Sequence, residues 1–440
     1  MTRNLASTMG RFLVLLALSS SAILAQPVAV SAAGPIGGWV AGPPMAGPRD
    51  SHTVTTLKDG RILVVGGGAE IYDPTANRWS QAGTPVMART IATATLLAGG
   101  RVLVAAGIVG ERSVPNTEIY DPTRNTWTAA ASMAGRRYDH TATLLADGRV
   151  LIAGGTRSTV TLDSAELYDP KTDAWSAAAS LPAPRTGHTA ILLPDGRVLV
   201  AGGTNGSGVL ATAAIYDPAA NKWAPGPSMT MPRRGSLSTR LRDGRILVVG
   251  GLEFPGPAQV AAEIFDPKTE SWSPAGQATQ PLVRDGFVMT ILKDGRVLIC
   301  GGAGPPPLEL GTTAGYVYDP QRDHWSASAY MRQGRVYHSA SLLPSGRVLV
   351  AGGRDAFVNG TPLNTTEIFD VSAVTNAPTT TAATTAPTKP TSTTPAGTLA
   401  VGRLPLQQVA WLVAGGMVGG GVLILAVVLF ATTLRRFRRL

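Results

Sequence analysis

One short phrase, repeated seven times, restricts what this chain can fold into. DGRILVVGG at 59–67 returns as GGRVLVAAG (99–107), DGRVLIAGG (147–155), DGRVLVAGG (195–203), DGRILVVGG (243–251), DGRVLICGG (294–302) and SGRVLVAGG (345–353). EIYDP or a near relative follows each copy, at 70–74, 118–122, 166–170, 214–218, 263–267 and 316–320, and without its proline at 367–370. Each unit is led by a tryptophan: Trp39, Trp79, Trp127, Trp175, Trp223, Trp272 and Trp325, spaced 40 to 53 residues apart and most often 48. A period of this size marks a propeller or solenoid, in which copies of one supersecondary unit bury their apolar faces against each other.

Within a unit the residue types give four strands. HTATLL (140–145) alternates small polar and apolar residues, the pattern of a strand with one buried face. Asp147-Gly148 is a two-residue turn that tolerates positive φ. RVLIA (149–153) is a continuous apolar run, so that strand is buried on both faces. Gly154-Gly155 allows a sharp turn or a close backbone approach, ELYD (166–169) is a third strand, and Pro170 with Asp173 turns the chain into a fourth at Trp175. Four antiparallel strands per repeat, here labelled a to d, describe a propeller blade. Between 34 and 371 there is no amphipathic helical periodicity. The frequent Gly (51) and Pro (33) also disfavour a Rossmann-type or helical enzyme. The expected fold is all-β, a seven-bladed β-propeller over 34–372. The register also predicts closure. Trp39 stands on a fourth strand with no third strand before it, and 367–370 is a third strand with no tryptophan after it. Pairing the two completes blade 7 and removes the free edges.

Strand–turn–strand ending in Gly-Gly, then Tyr, then Trp about seven residues later, resembles the kelch repeat. The resemblance covers about 330 of the 440 residues, with small departures at Ala106-Gly107, Phe265 and Phe369. It implies the propeller above. Tyr337-His338 is in addition similar to the Tyr-His pair that ligates copper in the galactose-oxidase family, whose catalytic domain is a kelch propeller. That family also uses a Cys-crosslinked Tyr, a second Tyr and a His from an added C-terminal β domain. Here stalk and anchor stand in place of that domain, and Cys300 falls inside the LICGG strand, where a small buried hydrophobe is expected. The resemblance implies the scaffold without the copper chemistry, and no cofactor is expected.

The ends of the chain carry a different signal. Residues 1–33 read as a signal peptide: Arg3 and Arg11, then the apolar stretch 12–25, then small residues. Residues 373–403 form a Thr/Pro/Ala-rich stalk that cannot build a core. The segment 404–434 is expected to hold a transmembrane helix, since Val409–Leu434 carries no charge over 26 residues, about 39 Å if helical. Arg435, Arg436, Arg438 and Arg439 make 435–440 a basic cytoplasmic tail. Gly415/Gly419 and Gly416/Gly420 are spaced for close helix pairing, so a homodimer through them is one expectation. Of the net charge of +10, eight positive charges and no acid lie outside 34–372, leaving about +2 on the propeller. The high pI of 10.0 therefore reflects export and anchoring, and no nucleic-acid partner is expected. The expected location is the cell membrane, single-pass, with the propeller outside. One cysteine excludes an intramolecular disulfide and any multi-thiolate metal site.

Candidate chemistry sits on one face. The a–b and c–d turns are short and uniform, whereas the b–c loops vary in length and content, and binding residues concentrate in such loops. That face also receives Arg49, Arg89, Arg137, Arg185, Arg233, Arg284 and Arg335, each opening strand a in phase. Two readings stand for them. They hold an acidic peptide or anionic glycan at the channel mouth, or they pair with strand-c acids such as Glu70, Glu118, Glu166, Glu263 and Glu367. His52, His140, His188 and His338 follow three residues later, with Ala92, Ser236 and Phe287 in the other blades. Each comes from a different blade, so they read as hydrogen-bonded imidazoles at that mouth and no metal is expected. With Tyr337 they complete the candidate ligand-binding set. Isolated acids Asp163, Glu253, Glu309 and Asp355 lie on the same face, but no nucleophile elbow, zincin motif, P-loop or dinucleotide fingerprint occurs. The leading expectation is a surface binding module for a protein or glycan. A carbohydrate-active enzyme, oxidase-like or hydrolytic, using the b–c loop face is the alternative, and a structural cell-contact spacer is a third.

Overall fold

The structure, a computed structural model, describes residues 35–251, 262–276, 285–303 and 310–373. These residues contain no α-helix, and their strands form seven four-stranded antiparallel sheets and two two-stranded ribbons in the b–c loops of blades 2 and 3. Blade 3 is representative, with strands a to d at Thr141–Leu144, Val150–Ala153, Ala165–Asp169 and Ala174–Ala178. Asp147-Gly148 makes the a–b turn, and Gly148 takes the left-handed φ that the turn requires. Strand b is buried at all four positions, as its unbroken apolar run requires.

The ring closes as the register demands. Strands Ser339–Leu342, Val348–Ala351 and Thr366–Asp370 are completed by Gly38–Gly42 from the other end of the propeller, with Trp39 opposite Phe369. Strand a of every blade packs against strand a of both its neighbours, including blade 7 against blade 1, so the a strands ring the axis.

Blade-to-blade packing follows from the repeat. Leu103, Ala105, Ile119 and Met133 of blade 2 cluster with Val150, Ile152 and Tyr168 of blade 3, and related clusters fill the other seams. In each blade the tryptophan ring lies 4.8 to 5.2 Å from the aromatic ring of strand c. Its indole Nε1 donates across the seam, as Trp175 does to the Ala131 carbonyl and Trp39 to the Ala329 carbonyl. A buried tryptophan needs such a partner for its N–H. The strand-c tyrosine donates its hydroxyl to an Asn or Asp five residues on, for example Tyr168 to Asp173 at 2.8 Å. Where strand c carries Phe265, with no hydroxyl, that position is Glu270, which pairs with Arg197 instead.

Several expectations lie outside the described residues: the signal peptide, the stalk beyond residue 373, the transmembrane helix with Gly415, Gly416, Gly419 and Gly420, the basic tail, and Arg284, Glu253 and Glu309. Among the described residues no helix is long and apolar enough to cross a membrane.

Candidate functional site

Of the described in-phase arginines, Arg89, Arg137, Arg185, Arg233 and Arg335 are buried and Arg49 is half-buried, and their guanidinium groups are held by the protein itself. Arg137 and Arg335 are 1% and 0% exposed. Arg137 Nη2 bonds Glu166 on strand c at 2.7 Å, while Nη1 donates to the carbonyls of Gly154 and Ser164 at the two ends of the b–c loop. Arg49–Glu70, Arg89–Glu118, Arg233–Glu263 and Arg335–Glu367 repeat the pair. The carboxylate also accepts backbone N–H groups of the link before strand a, as Glu166 does from Ala134 and Gly135. The backbone carbonyl of the same arginine accepts from the preceding blade: Gly107 N–H donates to Arg137 and Gly155 N–H to Arg185. A Cβ on Gly154 would lie 2.4 Å from the Arg185 carbonyl, so this close approach excludes any side chain there. One residue type thus pins the base of a b–c loop and ties two blades together. Of the two readings of these arginines, internal pairing is the one this geometry displays for Arg49, Arg89, Arg137, Arg233 and Arg335, and Arg185 is also turned inward.

The histidines work along the same seams. His140 Nε2 lies 3.0 Å from the Thr93 hydroxyl, His188 Nε2 2.9 Å from Thr141, and His52 Nε2 2.8 Å from Ser339. Each bond crosses to the first residue of strand a in the preceding blade. His338 breaks the pattern: blade 6 carries Val288 at that place, and neither imidazole nitrogen of His338 reaches a partner of normal geometry. Burial, reinforced by the neighbouring arginine, lowers His52, His140 and His188 to about 3. These three are neutral when folded but charge below about 6.5 when unfolded. Their stabilising contribution is whole above that value and is lost as the pH falls from 6.5 toward 3. Each is expected to cost roughly 1 kcal/mol per pH unit across that window. Urea midpoints measured from pH 7 to pH 5 should fall steadily, and His140→Gln should flatten the slope. A pH-independent midpoint would contradict this.

Of the groups that do face the axis, Tyr337, His52 and His338 belong to the candidate set drawn from the sequence, and the others were not singled out there. Two residues after each in-phase arginine the backbone turns left-handed: Ser51, Ile91, Asp139 and Tyr337 at φ 50 to 54, and Gly187, Gly235 and Gly286 at φ 60 to 73. Ser51 N–H donates to Tyr337 O, Ile91 to Ser51, Gly187 to Asp139, Gly235 to Gly187, and Tyr337 to Gly286, at 2.8 to 3.3 Å. These bonds form two arcs round the axis, Gly286–Tyr337–Ser51–Ile91 and Asp139–Gly187–Gly235, which together make a backbone belt. Left-handed φ is costly for Ile and Tyr, and the belt is what holds them there. The available signal was the in-phase glycine at 187, 235 and 286.

The belt frames a cavity of about 510 Å³ lined by Ser51, His52, Ile91, Asp139, Gly235, Leu237, Asp285, Gly286, Phe287, Tyr337 and His338. Asp139 and Asp285 approach from blades 3 and 6. Both carboxyls are raised from the usual range, first by the protein crowding round them; the Arg234 charge offsets this in part. Arg354 pairs with Asp50 at 2.7 Å and lies 5.8 Å from the Tyr337 ring centre, and Phe357 packs on the same ring at 5.5 Å. Burial raises the Tyr337 hydroxyl as well. Leu310 and Val358 are 55% and 59% exposed on the blade 6 and 7 loops, which meet at the Leu310–Ala356 bridge. Asp163 and Asp355 stand on the b–c loops; Asp355 accepts from Thr361 N–H within its own loop.

The copper ligand set of the oxidase-like alternative does not fit these residues. His338 packs against Gly301, and Cys300 is fully buried in strand b, where desolvation pushes its thiol up to about 12. Among the described residues no three His, Cys, Asp or Glu side chains converge as a metal site. On the opposite face the Asp-Gly-Arg turns close on themselves, with Asp147 accepting from both the Arg149 backbone and its guanidinium.

Residues 93–134, 136–182 and 185–230, which are blades 2, 3 and 4, match the kelch motif. No curated protein sequence matches the chain. Among solved structures, the chain is similar to a novel fungal alcohol oxidase with catalytic diversity among the AA5 family, in complex with copper. The two are 16% identical at a TM-score of 0.63, over 76% of each chain. It is also similar to YjhT, 17% identical at a TM-score of 0.50, over 63% of this chain and 93% of that one. At such identities the likeness is one of fold, and 830 solved chains match, so the fold selects no single function.

Proposed function

We propose that this seven-bladed propeller, which carries kelch motifs, is a binding module exposed at a cell surface, and that its ligand is a basic segment of a partner protein received at the axial cavity. Kelch propellers generally mediate protein interactions. The observation that carries the reading is the belt of left-handed residues beside Asp139 and Asp285, which line one cavity while the described in-phase arginines are turned inward. Among the described residues, two carboxyls face one cation without an ion pair, Arg234, which favours a cationic side chain, and the exposed Leu310 and Val358 on the neighbouring loops suit an apolar neighbour to it. A glycan is less well served, because Phe357 and Arg354 already pack on the Tyr337 ring. Export and anchoring rest on the apolar runs at 12–25 and 409–434 and on the terminal arginines. Protease treatment of intact cells that removes the propeller and spares the membrane fragment is the expected result; a protected propeller would contradict it.

Asp139→Asn and Asp285→Asn should each weaken such a ligand by about 1 kcal/mol, roughly fivefold in Kd. The same substitutions should hold or raise the melting temperature at neutral pH. A carboxyl whose folded pKa is raised loses stabilising effect as pH rises through that value, so removing its charge relieves the fold. Binding should also weaken with acidification at a higher pH than ordinary carboxylates titrate. A peptide and glycan array separates the readings: retention of basic, apolar-flanked peptides supports the proposal, and retention of glycans alone overturns it.

A further inference from the structure

Blade 4 departs from the arginine–glutamate pattern. Arg185 is as buried as its counterparts, 2% exposed, and its Nη1 donates to the Gly202 and Thr212 carbonyls at 3.1 Å each, as Arg137 does to Gly154 and Ser164. The position of Glu166 is Ala214, which is fully buried. No carboxylate contributes to the environment of Arg185, and desolvation alone depresses its guanidinium. Its Nε has no hydrogen-bond partner, and Nη2 reaches only the Thr212 hydroxyl at 3.5 Å.

The link before strand a changes in step. Glu166 accepts N–H bonds from Ala134 and Gly135. The corresponding residues in blade 4 are Pro182, which has no N–H, and Ala183. One donor is lost together with the acceptor, while the Ala183 N–H and the outer edge of the Arg185 fork keep theirs. An unpaired cation held this deeply is costly, and a planar fork with free N–H groups is a ready receptor for an anion. The way in is short, since Pro182 is exposed and Ala183 half-buried.

We propose that Arg185, with the Ala183 N–H, binds one small monovalent anion of the chloride class in the place that a strand-c carboxylate takes in the paired blades. The anion completes the charge pair. Because Arg185 holds Thr212, at the end of the b–c loop of blade 4, occupancy also sets how firmly that loop is fastened on the binding face.

The test uses the unmodified protein and bromide as the probe. Crystals soaked in bromide should show an anomalous peak within hydrogen-bond distance of the Arg185 guanidinium and none at Arg137. The melting temperature should rise with sodium chloride relative to sodium gluconate at equal ionic strength, as ligand linkage requires. Ala214→Glu should abolish both effects by supplying the missing carboxylate. No bromide at Arg185, or equal melting in the two salts, overturns the proposal. If Ala214→Glu fails to fold, the bromide result on the unmodified protein still decides.

Discussion

Replacing Arg137 by methionine is expected to cost the propeller about 3–5 kcal/mol, because it leaves Glu166 buried without its counter-charge. The substitution also strips donors from the carbonyls of Gly154 and Ser164, which fix both ends of a b–c loop. The effect should therefore spread to loop order as well as to melting. Adding Glu166→Met to the same chain should recover much of the loss, since removing both partners of a buried pair is far milder than removing one. The double substitution still leaves Ala134 and Gly135 N–H without their acceptor, so recovery stays incomplete. Arg185→Met should cost less than Arg137→Met, because no carboxylate is orphaned in blade 4. Urea unfolding of the variants checks the order. Equal losses at Arg137 and Arg185 would show that the buried carboxylate is not the cause.

Deleting residues 35–46 should unfold the propeller or drive it into oligomers. The segment supplies strand Gly38–Gly42, which pairs along its whole length with Thr366–Asp370. Its side chains seal blade 7: Trp39 packs on Phe369 at 5.0 Å, and Met45 is 2% exposed in a cluster with Val64 and Ala351. Pro43 and Met45 are also stitched to Thr366 and Asn364. Without the segment, Thr366–Asp370 becomes an open edge ready to pair with another chain. Trp39→Ala alone should cost about 3–5 kcal/mol. Light scattering with calorimetry reads both outcomes, and a stable monomer with unchanged melting would refute closure through this strand.

The ring was legible because every structural element recurs in phase. Gly154-Gly155, Tyr168 and Trp175 each do one job in blade 3, and their counterparts pack in the same way elsewhere, with Phe265 and Phe369 lacking only the hydroxyl bond. Closure was legible for the same reason, since a tryptophan without a preceding strand c needs one from the other end. The arginines were legible as a register, and their pairing with the strand-c glutamates was one of two roles the sequence offered. Arg137 has a strand-c glutamate in phase with it, yet only the fold shows that the pair faces inward. The cavity was legible only in part, through His52, Tyr337 and His338; its two carboxyls were not. Asp139 stands two residues after its arginine and Asp285 one residue after Arg284, so they share no sequence position. Only the curvature of the ring brings blades 3 and 6 to the same opening. The belt left a faint trace, the glycines at 187, 235 and 286, hidden by Ser51, Ile91, Asp139 and Tyr337 in the same register.

On the proposed function, the described in-phase arginines and histidines build the ring and ligand is received by the two axial carboxyls. The most direct test is one titration of a basic, apolar-flanked peptide selected by the propeller against the unmodified chain and against Asp139→Asn/Asp285→Asn. The expected result is a loss of about thirtyfold in Kd with no fall in melting temperature. Undiminished binding by the double variant would contradict the account and move the site away from the axis.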